Sequence, residues 1–203
     1  DAVYFRILRE ELSQNADRAH KPPFAYLYDY VGTYDGPLEW EDIQPVNDYL
    51  MGQGARDLGL PQQLGVRHLE SGRFRIYPKG ETNYSDESTP LGYISFAATS
   101  DIESHIDILS GAWPESGAAG KAPVVEVLVA EVMANKMGLQ VGDDLVTYDF
   151  AKDTTNPREI PVRVAGIWRP TDPEDDFWFF APSAFEDLLL VPEVTFEQRL
   201  SPM

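Results

Sequence analysis

No cysteine occurs among the 203 residues. Disulfides, thiolate metal ligands and thiol nucleophiles are therefore excluded. Basic residues are scarce: 16 Lys and Arg stand against 34 Asp and Glu, a formal charge of −18. They form no block, and a surface this acidic repels phosphate, which argues against nucleic acid and anionic lipid as partners. No apolar run reaches the roughly 18 residues that a transmembrane helix needs. A signal peptide is also missing. The first residue is Asp1 rather than Met, so the chain reads as a processed form or an excised fragment. Absent too are G-x-S-x-G, Walker A, G-x-G-x-x-G and H-E-x-x-H patterns, and with them the commonest routes to hydrolase, nucleotide and zincin chemistry.

What remains is ample material for a core. Apolar residues make up 43% of the chain and aromatics 12%, a globular composition for one large domain or two small ones. Tyr4, Leu8 and Leu12 recur every four residues and predict an opening helix over Asp1 to about Arg18. It lacks an N-cap, as a helix continuing from upstream would. Phe24–Val31 predicts an aromatic strand, followed by a turn at Gly32–Gly36. Ile43, Val46 and Leu50 predict a helix over Glu41–Met51, with Pro45 tolerable only in its first turn. Alternation in Leu64-Val66-His68 and Phe74-Ile76 predicts a hairpin turning at Glu70-Ser71-Gly72.

Lys79–Pro90 is polar and predicts an exposed loop. Gly92–Ala97 predicts a strand. Ser100 and Glu103 form a capping box opening a short helix through Ile102, Ile106 and Leu109. Gly111–Lys121 predicts a loop and a plausible domain boundary. Val124–Leu128 predicts a buried strand, and Ala130–Met137 a helix closed by Gly138. Leu145–Phe150 and Ile160–Trp168 predict strands around a polar Ala151–Pro157 loop. An acidic turn at Thr171–Asp176 leads into a short strand over Phe177–Phe180. Pro182–Leu190 predicts a last helix, and Val194–Phe196 the start of a further strand. Strands and helices mix without strict alternation, so the fold class is α+β, with mixed sheets and packed helices.

Candidate chemistry is thin. The histidines are His20, His68 and His105. His68 shares the inward phase of a strand with Leu64 and Val66, as a satisfied half-buried histidine does. His105 sits among Asp101, Glu103 and Asp107, as on a solvated acidic surface. Gly52-Gln53-Gly54 follows a helix, the reverse of the order a phosphate loop requires. Asp172, Glu174, Asp175 and Asp176 have a calcium-like composition without the calcium-loop spacing, and read as a solvated turn. Asn83-Tyr84-Ser85 matches the glycosylation triplet, meaningful only in a eukaryotic secretory setting. Trp168 and Phe177–Phe180 read as sheet core rather than a stacking surface. No catalytic, cofactor-binding or metal-ligating residue is assigned, and no cofactor is expected.

One stretch, Pro123 to Pro182, says more than any of these. It reads PVVEVLVAEVMANKMGLQVGDDLVTYDF and then IPVRVAGIWRPTDPEDDFWFFAP. It resembles the second half of the extracytoplasmic core domain of MacB-like and FtsX-like ABC transporter permeases. That family runs strand, helix ending in "LGL.VGD.L", strands reading "V.V.GI", polar turn, and a short strand ending at proline. Met137 stands where Leu is usual. Upstream, Ile108-Leu109-Ser110-Gly111-Ala112-Trp113-Pro114 resembles the family's "L..GRWP", with Ala112 in place of Arg. The physical demands of the pattern are separable from the resemblance. Gly138 supplies a left-handed residue ending the helix, Val141-Gly142-Asp143 makes a tight turn, and Gly166 in mid-strand signals a bulge or close backbone approach.

The resemblance implies a two-part extracytoplasmic domain between the first two membrane helices of a permease. A membrane-proximal porter-like α+β part would span 1–107, completed by 183–203, and a smaller distal part would span 108–182. The opening helix would then continue a membrane helix. The implied role is mechanical: ATP hydrolysis on a separate cytoplasmic ABC ATPase moves the membrane helices, and this domain engages a substrate or partner outside. It would do no chemistry of its own and would work beside a second permease copy. The alternative is a secreted or surface binding protein for a polar or cationic ligand, which needs a deep pocket. A hydrolase would need two facing carboxylates with shifted pKa values.

Overall fold

The computed structural model describes residues 3–4, 6–7, 10, 25–28, 40–59, 61–79, 89–116, 124–149, 155 and 157–200. Its eight strands are β1 (His68–Glu70), β2 (Phe74–Pro78), β3 (Gly92–Thr99), β4 (Ile106–Gly111), β5 (Val125–Ala130), β6 (Asp144–Asp149), β7 (Arg158–Pro170) and β8 (Leu188–Leu190). Its helices are α1 (Trp40–Tyr49), α2 (Ala55–Asp57), α3 (Glu131–Met137) and α4 (Glu193–Thr195). A π-helical turn, Leu50–Gly54, joins α1 to α2, and another, Phe196–Leu200, prolongs α4. The fold is α+β, built on one mixed sheet.

That sheet closes on itself. β2 pairs β3, β3 pairs β8, β8 pairs β5, β5 pairs β7, β7 pairs β6, and β6 returns to β2. The β3–β8 and β5–β7 pairs are parallel, the rest antiparallel. Closure leaves these six strands without a free edge. β3 and β5 are buried almost throughout. That is why both read as continuous apolar runs: each lies on the barrel wall under a helical cover, with the segment after α4 against β3 and α3 against β5 and β7. The apolar cluster, with Ile94, Phe96, Leu128, Leu145 and Leu189 inaccessible to solvent, is continuous from Ile76 to Leu200. The 107/108 division drawn from the sequence falls inside β4, and strands on both sides of it share this sheet.

The strand–helix–turn–strand block has the expected form. Gly138 ends α3 at φ 71°, and the Leu139 N–H reaches the Ala134 carbonyl at 2.9 Å while Leu139 is buried. In the next turn Gly142 takes φ 94°. Its N–H donates to the Val164 carbonyl, 2.8 Å, and Asp143 Oδ2 accepts the Gln140 N–H, also 2.8 Å. Glycine and aspartate at this turn are thus conformational and capping requirements.

Gly166 fulfils both readings of a mid-strand glycine. The β5–β7 register shifts beside it, and it stands directly opposite Gly111 of β4. A Cβ on Gly166 would lie 2.8 Å from the Ala112 carbonyl oxygen. A Cβ on Gly111, at φ 80°, would lie 2.1 Å from the Ala165 carbonyl oxygen.

Several local expectations give way to tertiary pairing. There is no hairpin at Glu70-Ser71-Gly72: β1 and β2 both pair with β3, in registers one residue apart, as one interrupted strand. Ser71 holds the interruption together. Its N–H donates to the Phe96 carbonyl and its Oγ accepts the Phe96 N–H, both 2.9 Å. The Ser100 capping box opens no helix. Only a 3-10 turn, Ile102–Ser104, forms, and Ser100 Oγ accepts the Arg67 N–H instead. The apolar residues of that expected helix, Ile106 and Leu109, belong to β4.

Phe177–Phe180 forms turns rather than a strand. Pro182–Leu190 splits into a 3-10 turn, Pro182–Phe185, and β8, because Leu188–Leu190 is held between β3 and β5. Val194–Phe196 is helical rather than a strand, with Pro192 at the N-cap of α4. Ala25–Tyr28 is exposed and takes no strand pairing. Pro45 lies inside α1, at its sixth residue, and α1 buries no side chain. In the opening segment the described positions are helical. The Gly32–Gly36 turn, residues 117–121 of the Gly111–Lys121 loop and most of the Lys79–Pro90 and Ala151–Pro157 loops lie outside the described residues.

Candidate functional site

The acidic turn after β7 is an ordered structure rather than a loose solvated loop. Asp172 starts it: its Oδ1 accepts the Glu174 N–H at 2.9 Å, and its carbonyl accepts the Trp178 indole N–H at 2.9 Å. Asp175 Oδ1 accepts the Phe177 N–H at 2.9 Å, and Asp175 Oδ2 lies 2.8 Å from His105 Nδ1. The His105 ring stacks on Phe177, with centroids 3.8 Å apart and planes 8° from parallel. The Phe177 N–H, then the His105 imidazole, hold the Asp175 carboxyl below its ordinary pKa of 3.8, against a smaller opposing effect of burial.

Phe177 and Trp178 anchor the turn in the core, and Trp178 stacks on Trp168. The aromatic array is therefore core, as its spacing predicts, although turns rather than strands deliver it. Phe180, at its end, is exposed.

A second histidine stands at the far end of the same aromatic chain. Phe185 contacts Trp178 on one side and His68 on the other, edge to face in both cases. His68 Nδ1 lies 2.8 Å from Thr99 Oγ1, and its Nε2 lies 3.7 Å from Glu70 Oε2. That imidazole, helped by Ser95, lowers the Glu70 pKa, while burial pushes against it. His68 is thus hydrogen-bonded as expected, but it is exposed rather than half-buried, because β1 has a strand partner only in β3 among the described residues.

Beside it Arg67 joins distant parts of the chain. Its guanidinium bonds Glu193 at 2.9 Å and Glu197 at 3.2 Å, and its Cζ sits 4.6 Å from the centroid of the Trp40 ring. No pattern in the sequence marks Arg67, because its carboxylate partners lie 126 and 130 positions away along the chain.

These groups do not form a reacting constellation. His105 has its carboxylate, but the nearby hydroxyls are engaged elsewhere. Ser104 Oγ donates to the Asp101 carbonyl, and Thr171 Oγ1 donates to Asp107 Oδ1. The carboxyl groups with a resolved shift, Glu70 and Asp175, both move downward, the opposite of what a general acid requires. Among the described residues no group of three or more His, Asp or Glu is arranged to hold a metal ion. Gly52-Gln53-Gly54 lies inside the helical turn between α1 and α2, with Gly54 at helical φ −53°, so it forms no phosphate loop. His20 and Asn83-Tyr84-Ser85 lie outside the described residues.

A cavity of about 150 Å³ opens between the start of α3 and the end of β7, lined by Glu131, Trp168, Arg169 and Glu186 among others. That is well below the roughly 300–1,000 Å³ of an ordinary small-molecule pocket. Within the described residues no helix is long and apolar enough to cross a membrane. No known family model matches the chain, and no curated protein matches it.

Proposed function

We propose that this chain is the extracytoplasmic domain of an ABC transporter permease of the MacB-like or FtsX-like kind. It couples ATP-driven movement of membrane helices to a substrate or protein partner outside the membrane. The observation that carries the reading is the Val125–Pro170 block. Most of the elements the resemblance calls for appear there in order: β5, α3, a left-handed Gly138, the Gly142-Asp143 turn, β6 and β7, while the short strand before Pro182 is replaced by turns. Each distinctive letter of the block has a structural duty. That suits a mechanical module, whose letters serve rigidity rather than reaction. Its working partners would be a cytoplasmic ABC ATPase and a second permease copy.

These 203 residues carry no cysteine, so labelling above that of the unsubstituted full-length protein reports an introduced thiol. A single Glu103→Cys substitution, at an exposed position, is introduced into the full-length gene in its native host. Intact cells are then treated with a membrane-impermeant maleimide. The expected result is labelling before lysis, in a membrane-sedimenting protein that co-purifies with an ATPase subunit. Labelling only after lysis refutes the reading. Labelled protein that stays in the soluble extracellular or periplasmic fraction favours a secreted binding protein instead.

A further inference from the structure

We propose that the outer edge of β4 is a docking strand for an extended, basic segment of another polypeptide. β4 stands outside the barrel closure, as does the three-residue β1. Each strand of the closed ring has a neighbour on both sides, whereas among the described residues β4 pairs with β7 alone. The direction of its hydrogen bonds follows from its two ends. The His105 carbonyl accepts the Thr171 N–H at 3.0 Å, and the Ala112 N–H donates to the Ala165 carbonyl at 3.0 Å. Antiparallel alternation then turns Asp107 toward β7 and the N–H and C=O of Ile106 and Ile108 away from it. Pro170 fits this phase: it faces Ile106, where the β4–β7 ladder needs no donor.

No described segment covers the edge either. Ile108 is 36% exposed and Leu109 41%, and Ser110 and Gly111 are exposed beside them. Unpaired backbone next to exposed apolar side chains is the surface that strand addition uses. Charged residues often guard such an edge. Here Asp107 is drawn back onto β7, with its Oδ1 accepting from Thr171 Oγ1 and its Oδ2 3.7 Å from Arg169 Nε.

Charge selects the occupant. Asp101 and Glu103 precede β4, the Asp172–Asp176 turn is clasped to His105 at its start, and Glu115 follows its end. A partner strand with Lys or Arg at its ends meets opposite charge at both. A second copy of this chain would bring another −18 of charge to the same edge, and the register shift between Ile108 and Ser110 kinks the edge against flat self-pairing. The proposal stands on β4 alone and does not depend on the transporter reading.

The test uses the folded chain and three labelled synthetic peptides of alternating threonine and valine. One is flanked by lysines and one by glutamates. The third is lysine-flanked and N-methylated at every second amide. Fluorescence anisotropy reads affinity, and amide exchange by NMR reads the site. The lysine peptide is expected to bind and to slow exchange at Ile108, with the glutamate and N-methylated peptides at least about tenfold weaker. Ile108→Pro removes an outward N–H that β7 does not use, and is expected to weaken binding to a similar degree. Ile108→Lys, which keeps the backbone donor and adds like charge, does the same should the proline variant not fold. Equal binding of the N-methylated peptide, or unchanged exchange at Ile108, overturns the proposal. So does a dimer in sedimentation that Ile108→Lys dissolves while no peptide binds, which would assign the edge to a second copy.

Discussion

The barrel strand β3 and the helix α1 were equally legible as secondary structure, yet they are held in opposite ways. An apolar stripe of Ile43, Val46 and Leu50 runs along α1 into the π-helical turn that follows, and no residue of α1 is buried. β3, of similar length, buries six consecutive residues from Ile94 to Thr99. The difference is what lies opposite. β3 has a strand on each side and a helix across its face, whereas a described tie of α1 to the barrel is the Trp40 ring under Arg67. An apolar stripe is enough to make a helix, but burial requires a second surface, and here the closed sheet supplies it to the strands first.

Substitutions should separate the two regions. Phe96→Ala, at an inaccessible barrel site, is expected to cost about 4 kcal/mol in urea unfolding, from lost transfer energy plus the cavity left behind. Gly111→Ala comes next, at roughly 3 kcal/mol. It combines a positive φ with a Cβ placed 2.1 Å from the Ala165 carbonyl. A neutral outcome would mean that β4 can shift off β7. Arg67→Ala is expected to cost about 1 kcal/mol, because its ion pairs are partly screened by solvent. Its sharper signature is local: α1 amides should exchange faster while barrel amides keep their protection.

Asp175→Asn probes the acidic turn through pH. The Asp175 pKa is lower folded than unfolded. Its stabilising effect is therefore complete above the ordinary value of 3.8 and is lost as pH falls through the lower folded value. Below about pH 4 the melting temperature of the parent chain should fall more steeply than that of the variant. Parallel curves would mean that the Phe177 and His105 contacts do not distinguish the charged carboxylate. Smallest of all, Val46→Ala in α1, where the side chain is 55% exposed, should change global stability by under about 0.5 kcal/mol.

Legibility followed the range of the interactions. The Val124–Trp168 stretch was read nearly residue for residue, because its strands, helix and glycine stops are set by neighbours a few positions away. Ser100–Leu109 and Pro182–Phe196 were misread for a shared reason. Short apolar runs such as Leu188–Leu190 suit a helix or a buried strand equally, and a partner from β3 or β5 decides between them. At the candidate site, the Asp172–Asp176 cluster was visible as composition. Its pairing with His105, 70 positions away, left no local trace. The same holds for Arg67, whose carboxylate partners lie 126 and 130 positions along the chain.

By itself, then, the amino-acid sequence determined the α+β class, the strand–helix–turn–strand block, the glycines that permit it, the acidic surface and the exclusion of thiol chemistry. Each follows from composition or from contacts within one turn or one strand. The tertiary structure alone decided that the sheet closes, that β1 and β2 form one interrupted strand, that His105 clasps the acidic turn, and that β4 keeps an open edge. Those outcomes depend on which distant segments meet, and in a closed barrel each pairing is constrained by all the others.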